Sequence, residues 1–87
     1  MKNGKKQEIF DTLNEGDAQL LKQRLERARL TQAWLMFRLD RDFGISIGKS
    51  YLSELLDGKR SLGYKTRRIV WCGIKIMDEY EEFYKGR

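Results

Sequence analysis

The chain has 87 residues, 40% of them hydrophobic and 36% charged, enough for one small core and too few for a second domain. It has no proline, a single cysteine and no histidine. Helices with short connections are therefore favoured, an internal disulfide is excluded, and neither a multi-cysteine metal site nor the common zinc ligand sets can be assembled, so no cofactor is expected. A net charge of +5 favours polyanionic partners, subject to where the charges sit.

Lys2, Lys5 and Lys6 stand where an export signal would start, but no apolar run of the required length follows. No segment approaches the roughly 20 apolar residues that span a bilayer. The expectation is a soluble, cytoplasmic protein with no membrane association. Ile9, Phe10 and Leu13 fall at helical spacing before an Asn14-Glu15-Gly16 break. Residues 1–16 thus read as an arm or short helix, either a flap over the core edge or an arm toward a dimer partner or a minor groove, and residues 17–87 as the single domain.

Asp17 is expected to cap a helix from about residue 18 to 29, because its carboxylate can accept from the free amides of a first turn. Leu21, Leu25 and Ala28 would form its buried stripe. Lys22, Arg24, Arg27 and Arg29 make the exposed face basic, with Glu26 opposing them. Thr31 suits the cap of a second helix that starts at Gln32 and runs to about 42, with Leu35, Met36 and Leu39 inward. Trp34 and Phe37 lie off that stripe, so either a second side of this helix is covered or an aromatic faces a partner. A polar corner follows, anchored by Phe43 and Ile45 and turned at Gly44.

The third helix, from about 49 to 57, is short and sharply two-faced. Leu52, Leu55 and Leu56 face inward behind Ile47, while Ser50, Ser53 and Glu54 project outward. Gly58 is placed to stop it in the left-handed conformation. From Gly58 to Met77 there are six basic residues, Lys59, Arg60, Lys65, Arg67, Arg68 and Lys75, and no acidic one. Asp78, Glu79, Glu81 and Glu82 follow, so the terminal segment is positive at one end and negative at the other. Ile69, Cys72, Ile76, Tyr80 and Phe83 trace one stripe, which predicts a long helix from about 64 to 84 with Cys72 as a buried apolar residue. Gly73 could bend or divide it. Trp71 and Ile74 sit on a second face, open to a dimer contact or to the Ile9/Phe10 arm. The fold class is all-α, with four to five helices.

A helix that enters the major groove is short and polar on its outer face, with cations beside it for the phosphates. The third helix has those features. Lys49 can donate to guanine, Ser50 can donate or accept, and Glu54 can accept from a cytosine amino group, while Lys59, Arg60 and Lys65 lie close enough in sequence to reach the backbone. Leu30-Thr31-Gln32, followed by the run S-Y-L-S-E-L-L-D-G-K-R over residues 50–60, resembles the helix-turn-helix of the phage repressor/Cro (XRE-like) regulators. The likeness covers about residues 18–76 and points to small regulators of phages and mobile elements. It implies a lambda-repressor-like domain that binds double-stranded DNA. It also implies phosphate contact by Gln32, base contacts by Lys49, Ser50 and Glu54, and backbone contacts by Gly58, Lys59 and Arg60. Two features depart from the common form: the corner is longer, and Gly48 stands where a capping serine or threonine is usual.

A single module buries little surface, so a symmetric homodimer on an inverted repeat is the economical route to specific affinity. Catalysis is not expected. There is no nucleophile with a base at meaningful spacing, and Gly48-Lys49-Ser50 lacks the earlier glycine and strand of a phosphate loop, Phe43 standing in the glycine's place. The alternative from another class is a protein-binding module that inhibits or sequesters a host or phage protein through Trp34, Trp71 and the acidic tail.

Overall fold

The computed structural model describes residues 13–85, so the expected arm over residues 1–16 lies, up to residue 12, outside the described residues. Four helices follow one another: α1 (Glu15–Arg27), α2 (Gln32–Phe43), α3 (Lys49–Leu56) and α4 (Tyr64–Lys85). The domain is all-α with a long C-terminal helix, and no strand occurs among the described residues.

The cap of α1 is not Asp17 but Asn14. The Asn14 side chain accepts from the Gly16 amide at 2.8 Å, and the Asp17 carboxylate reaches back to accept from the Asn14 amide at 2.9 Å. This reciprocal capping box makes Asp17 the third helical residue, so the helix starts at Glu15, inside the segment expected to break it. Its other end closes on Arg29 at φ 61°, where the Leu30 and Arg29 amides donate to the Leu25 and Glu26 carbonyls at 2.9 and 3.0 Å.

Thr31 caps α2 as expected, its hydroxyl accepting from the Trp34 amide at 3.0 Å. Leu35 and Leu39 are fully buried and Met36 half so. The two off-stripe aromatics divide: Trp34 meets the edge of Tyr80 from α4 at 5.5 Å, whereas Phe37 is 58% exposed with the Arg41 guanidinium over its ring. Gly44 takes φ 67° after α2, and Ile45, 7% exposed, pins the corner to the core.

α1 and α2 each pack against both α3 and α4, so α3 lies in a cradle with its outer side uncovered by the described residues. Leu52, Leu55 and Leu56 are wholly buried there, each worth about 1.5–3 kcal/mol against exposure. Gly63 precedes α4 with its amide donating to the Thr66 hydroxyl at 2.7 Å, and that hydroxyl donates on to the Ser61 carbonyl at 3.1 Å. α4 then runs without a break through Gly73. A Cβ there would stand 2.6 Å from the Leu21 Cδ2 of α1, so the glycine marks a close helix crossing and not a bend. The expected stripe on α4 holds through Ile69, Cys72 and Ile76 to half-buried Tyr80, but Phe83 is 60% exposed, because the last turn of α4 projects past the core.

Candidate nucleic-acid interface

Successive residues of α3 are set about 100° apart, so burial of Leu52, Leu55 and Leu56 leaves Ser50 and Glu54 on the crest of the opposite face. Lys49 flanks them on one side and half-buried Tyr51 on the other. Lys49, Ser50 and Glu54 are all exposed. Gly48 precedes the helix in extended conformation and makes no side-chain cap.

The end of α3 is more strongly built than its start. The Gly58 amide donates to the Leu55 carbonyl at 3.1 Å and the Lys59 amide to the Glu54 carbonyl at 2.9 Å, closing the helix on Gly58 at φ 76°. A Cβ on Gly58 would also stand 2.8 Å from Nε2 of Gln19. Gln19 donates to the Asp57 carbonyl at 3.3 Å, and Lys22 Nζ meets the Asp57 carboxylate at 2.5 Å. Hydrogen bonding to Lys22 holds the Asp57 carboxyl below its ordinary range and lifts the Lys22 ammonium above its own. α1 therefore fixes the spot where the chain leaves α3.

That geometry separates the expected contact residues. Lys59 and Lys65 are exposed, the latter in the first turn of α4, and Gln32 is half-buried at the start of α2. Arg60 instead folds back over α3, its guanidinium 4.3 Å from the centre of the Tyr51 ring and 3.1 Å from the Glu54 carboxylate. The part played by Tyr51 was not read from the sequence, although its i, i+3 spacing to Glu54 is the signal that places them side by side.

Several cations expected at the surface serve the fold. Besides Lys22, Arg24 is clasped by Glu81 at 2.7 and 3.1 Å and by Asp78 at 2.8 Å, an arrangement that raises its pKa, with Glu81 the main cause. The basic face expected on α1 thus shrinks to Arg27 and Arg29. Within the basic block, Arg67 donates to the Leu13 carbonyl at 3.3 Å and Lys75 lies over the Trp71 ring at 5.4 Å, while Arg68 is exposed. Cys72 is buried and its thiol is pushed up by that burial, as suits a core residue.

Trp71 and Ile74 are both half-buried and packed on the core. Ile74 borders a shallow groove between α1 and α4 beside Leu20, which is 56% exposed. No described group of three or more potential ligands is placed to hold a metal ion, and no helix of the described residues is long and apolar enough to cross a membrane. No protein-family model, curated protein or solved structure matches the chain.

Proposed function

We propose that this chain is a sequence-specific, double-stranded DNA-binding transcriptional regulator that acts by binding and not by catalysis. The observation that supports this best is α3: eight residues long, buried on its leucine side, held at its exit by α1, with Ser50 and Glu54 on its outer crest, Lys59 exposed just past its end and Lys65 exposed in the first turn of α4. A short rigid helix with a polar face and adjoining cations suits entry into a major groove. Lys49, Ser50 and Glu54 face the bases in this reading; Gln32, Gly58, Lys59, Arg60 and Lys65 face the backbone.

The protein binds an inverted repeat as a homodimer, with Trp71 and Ile74 at or near the contact. The sequence resemblance to phage repressors adds that it represses transcription in a phage or mobile element, and the missing apolar run after Lys2, Lys5 and Lys6 adds that it does so in the cytoplasm. Selection of bound sequences from a random duplex pool at near-physiological salt tests the reading. Enrichment of one inverted repeat is the expected result, and a pool that stays random rejects it.

A second reading, a helix-turn-helix protein that inhibits a host or phage protein, is favoured by exposed aromatics on α2 and the end of α4. Phe37, Phe83 and Tyr84 are 58, 60 and 53% exposed, and aromatics with arginine are the usual anchors of protein interfaces. Weak, sequence-insensitive DNA binding would favour it.

A further inference from the structure

We infer that Arg60 is a base-reading residue, presented to a guanine edge in the major groove, and that Tyr51 and Glu54 are its positioning residues. This rests on the DNA-binding reading and changes its account of two residues: Arg60 moves from the phosphate backbone to a base, and Glu54 from a base to Arg60. The Arg60 guanidinium lies beside the outer crest of α3, against the Tyr51 ring at 4.3 Å and the Glu54 carboxylate at 3.1 Å.

A carboxylate in that position spoils a phosphate clamp, since it neutralises the cation and repels the phosphate brought to it. A guanine edge carries no net charge. It offers two acceptors, O6 and N7, spaced for the fork of a guanidinium, and the Glu54 contact occupies only part of the guanidinium's five donors. The Tyr51 ring restricts the plane of the fork, and a fork ordered before binding loses less freedom on contact. The backbone supplies the reach. The turn at Gly58, closed by the Lys59 amide on the Glu54 carbonyl at 2.9 Å, brings the chain back along the helix it has just left. Lys59, exposed and one residue earlier, is the better phosphate ligand.

The test is selection from a random duplex pool with the full chain and its Arg60→Ala, Tyr51→Leu and Glu54→Gln variants, followed by salt titrations on the selected duplex. The native chain should enrich guanine at a fixed position in each half-site. Arg60→Ala should erase that preference by about five- to a hundredfold, leaving the other positions and the salt dependence as they were. Tyr51→Leu and Glu54→Gln should weaken the preference at the same position. Replacing that guanine by 7-deazaguanine should weaken binding of the native chain and not of Arg60→Ala.

Uniform weakening by Arg60→Ala, with base preferences intact and a salt slope about one unit shallower, would make Arg60 a phosphate clamp and overturn the inference while leaving the DNA reading in place. An unchanged affinity for the 7-deazaguanine duplex overturns it with the native chain alone, whatever the variants' folding. If the native chain enriches no sequence, the DNA reading fails and the inference fails with it.

Discussion

Gly73 shows how a single hydrogen can set the spacing of two helices. Alanine is preferred over glycine in a helix by about 1 kcal/mol, so propensity alone favours Gly73→Ala. The methyl group would stand 2.6 Å from a Leu21 side chain that is only 2% exposed and has little room to move, and overpacking of this kind costs about 1–3 kcal/mol. The second effect wins. Urea denaturation of Gly73→Ala should show a net loss of about 1 kcal/mol, and the cost should shrink when Leu21→Ala is added, because the two sites share one contact. A more stable single variant would show that α1 and α4 can separate without penalty. Arg29 presents the opposite balance: a non-glycine residue at φ 61° with its side chain exposed. Arg29→Gly should raise stability by about 0.5–1 kcal/mol by relieving the left-handed strain, as an upward shift in the urea midpoint.

At the scale of elements, α3 is held from behind by a charge pair whose pH dependence has a definite sign. The Asp57 carboxyl is depressed in the folded protein by its bond to Lys22, so the pair stabilises the fold above the unfolded carboxylate range, near pH 4, and is lost as pH falls through the lower folded value. Lys22 is shifted upward, so its part is kept at neutral pH and lost only as pH rises through its raised value. Asp57→Asn should therefore lower stability at neutral pH and flatten the acid limb of the stability profile below about pH 4. An acid limb identical to that of the native chain would show that the pair does not hold α3.

The helices themselves were legible because leucines at helical spacing and glycines at two exits announce them. Thr31, Gly44 and Gly58 stand where local chemistry alone requires them. The start of α1 was misplaced because Asp17 suits either the cap or the third residue of a capping box, and only the position of Asn14 decides between them. The partners of Lys22, Arg24 and Arg60 were illegible for a different reason. Lys22 and Arg24 meet residues 35 and 57 positions away, and no periodicity reports which of two exposed-looking charges the fold will bring together.

Across the whole molecule the charges of α4 run against its own dipole. Lys65 and Arg67 sit in the first turn, which favours anions, and Glu82 in the last, which favours cations, while Arg68, Asp78, Glu79 and Glu81 lie further in, where the dipole has largely faded. Asp78, Glu79 and Glu81 pair with Arg24 and Arg38 from α1 and α2. Lys65 and Arg68 remain exposed on the first turns of α4, which is understandable if a polyanion completes that side. Lys59→Ala with Lys65→Ala should then weaken DNA binding to all sequences alike and reduce the salt slope by about two units, roughly 0.9 for each phosphate contact removed. An unchanged slope would remove both lysines from the backbone contact.

The proposed dimer makes the most demanding prediction, because it links a face remote in kind from α3 to affinity for DNA. Ile74 is half-buried beside the exposed Leu20 at the α1–α4 groove, so an aspartate there charges that surface directly. If that surface joins two copies, Ile74→Asp should sediment as a monomer at concentrations where the native chain is a dimer. It should also bind an isolated half-site as the native monomer does. On the full inverted repeat it should lose about a hundred- to ten-thousandfold in affinity, the advantage that linkage gives to the second contact. Equal loss on half-site and full site would instead mean that the substitution damages the reading unit, and an unchanged mass would move the dimer contact elsewhere on the molecule.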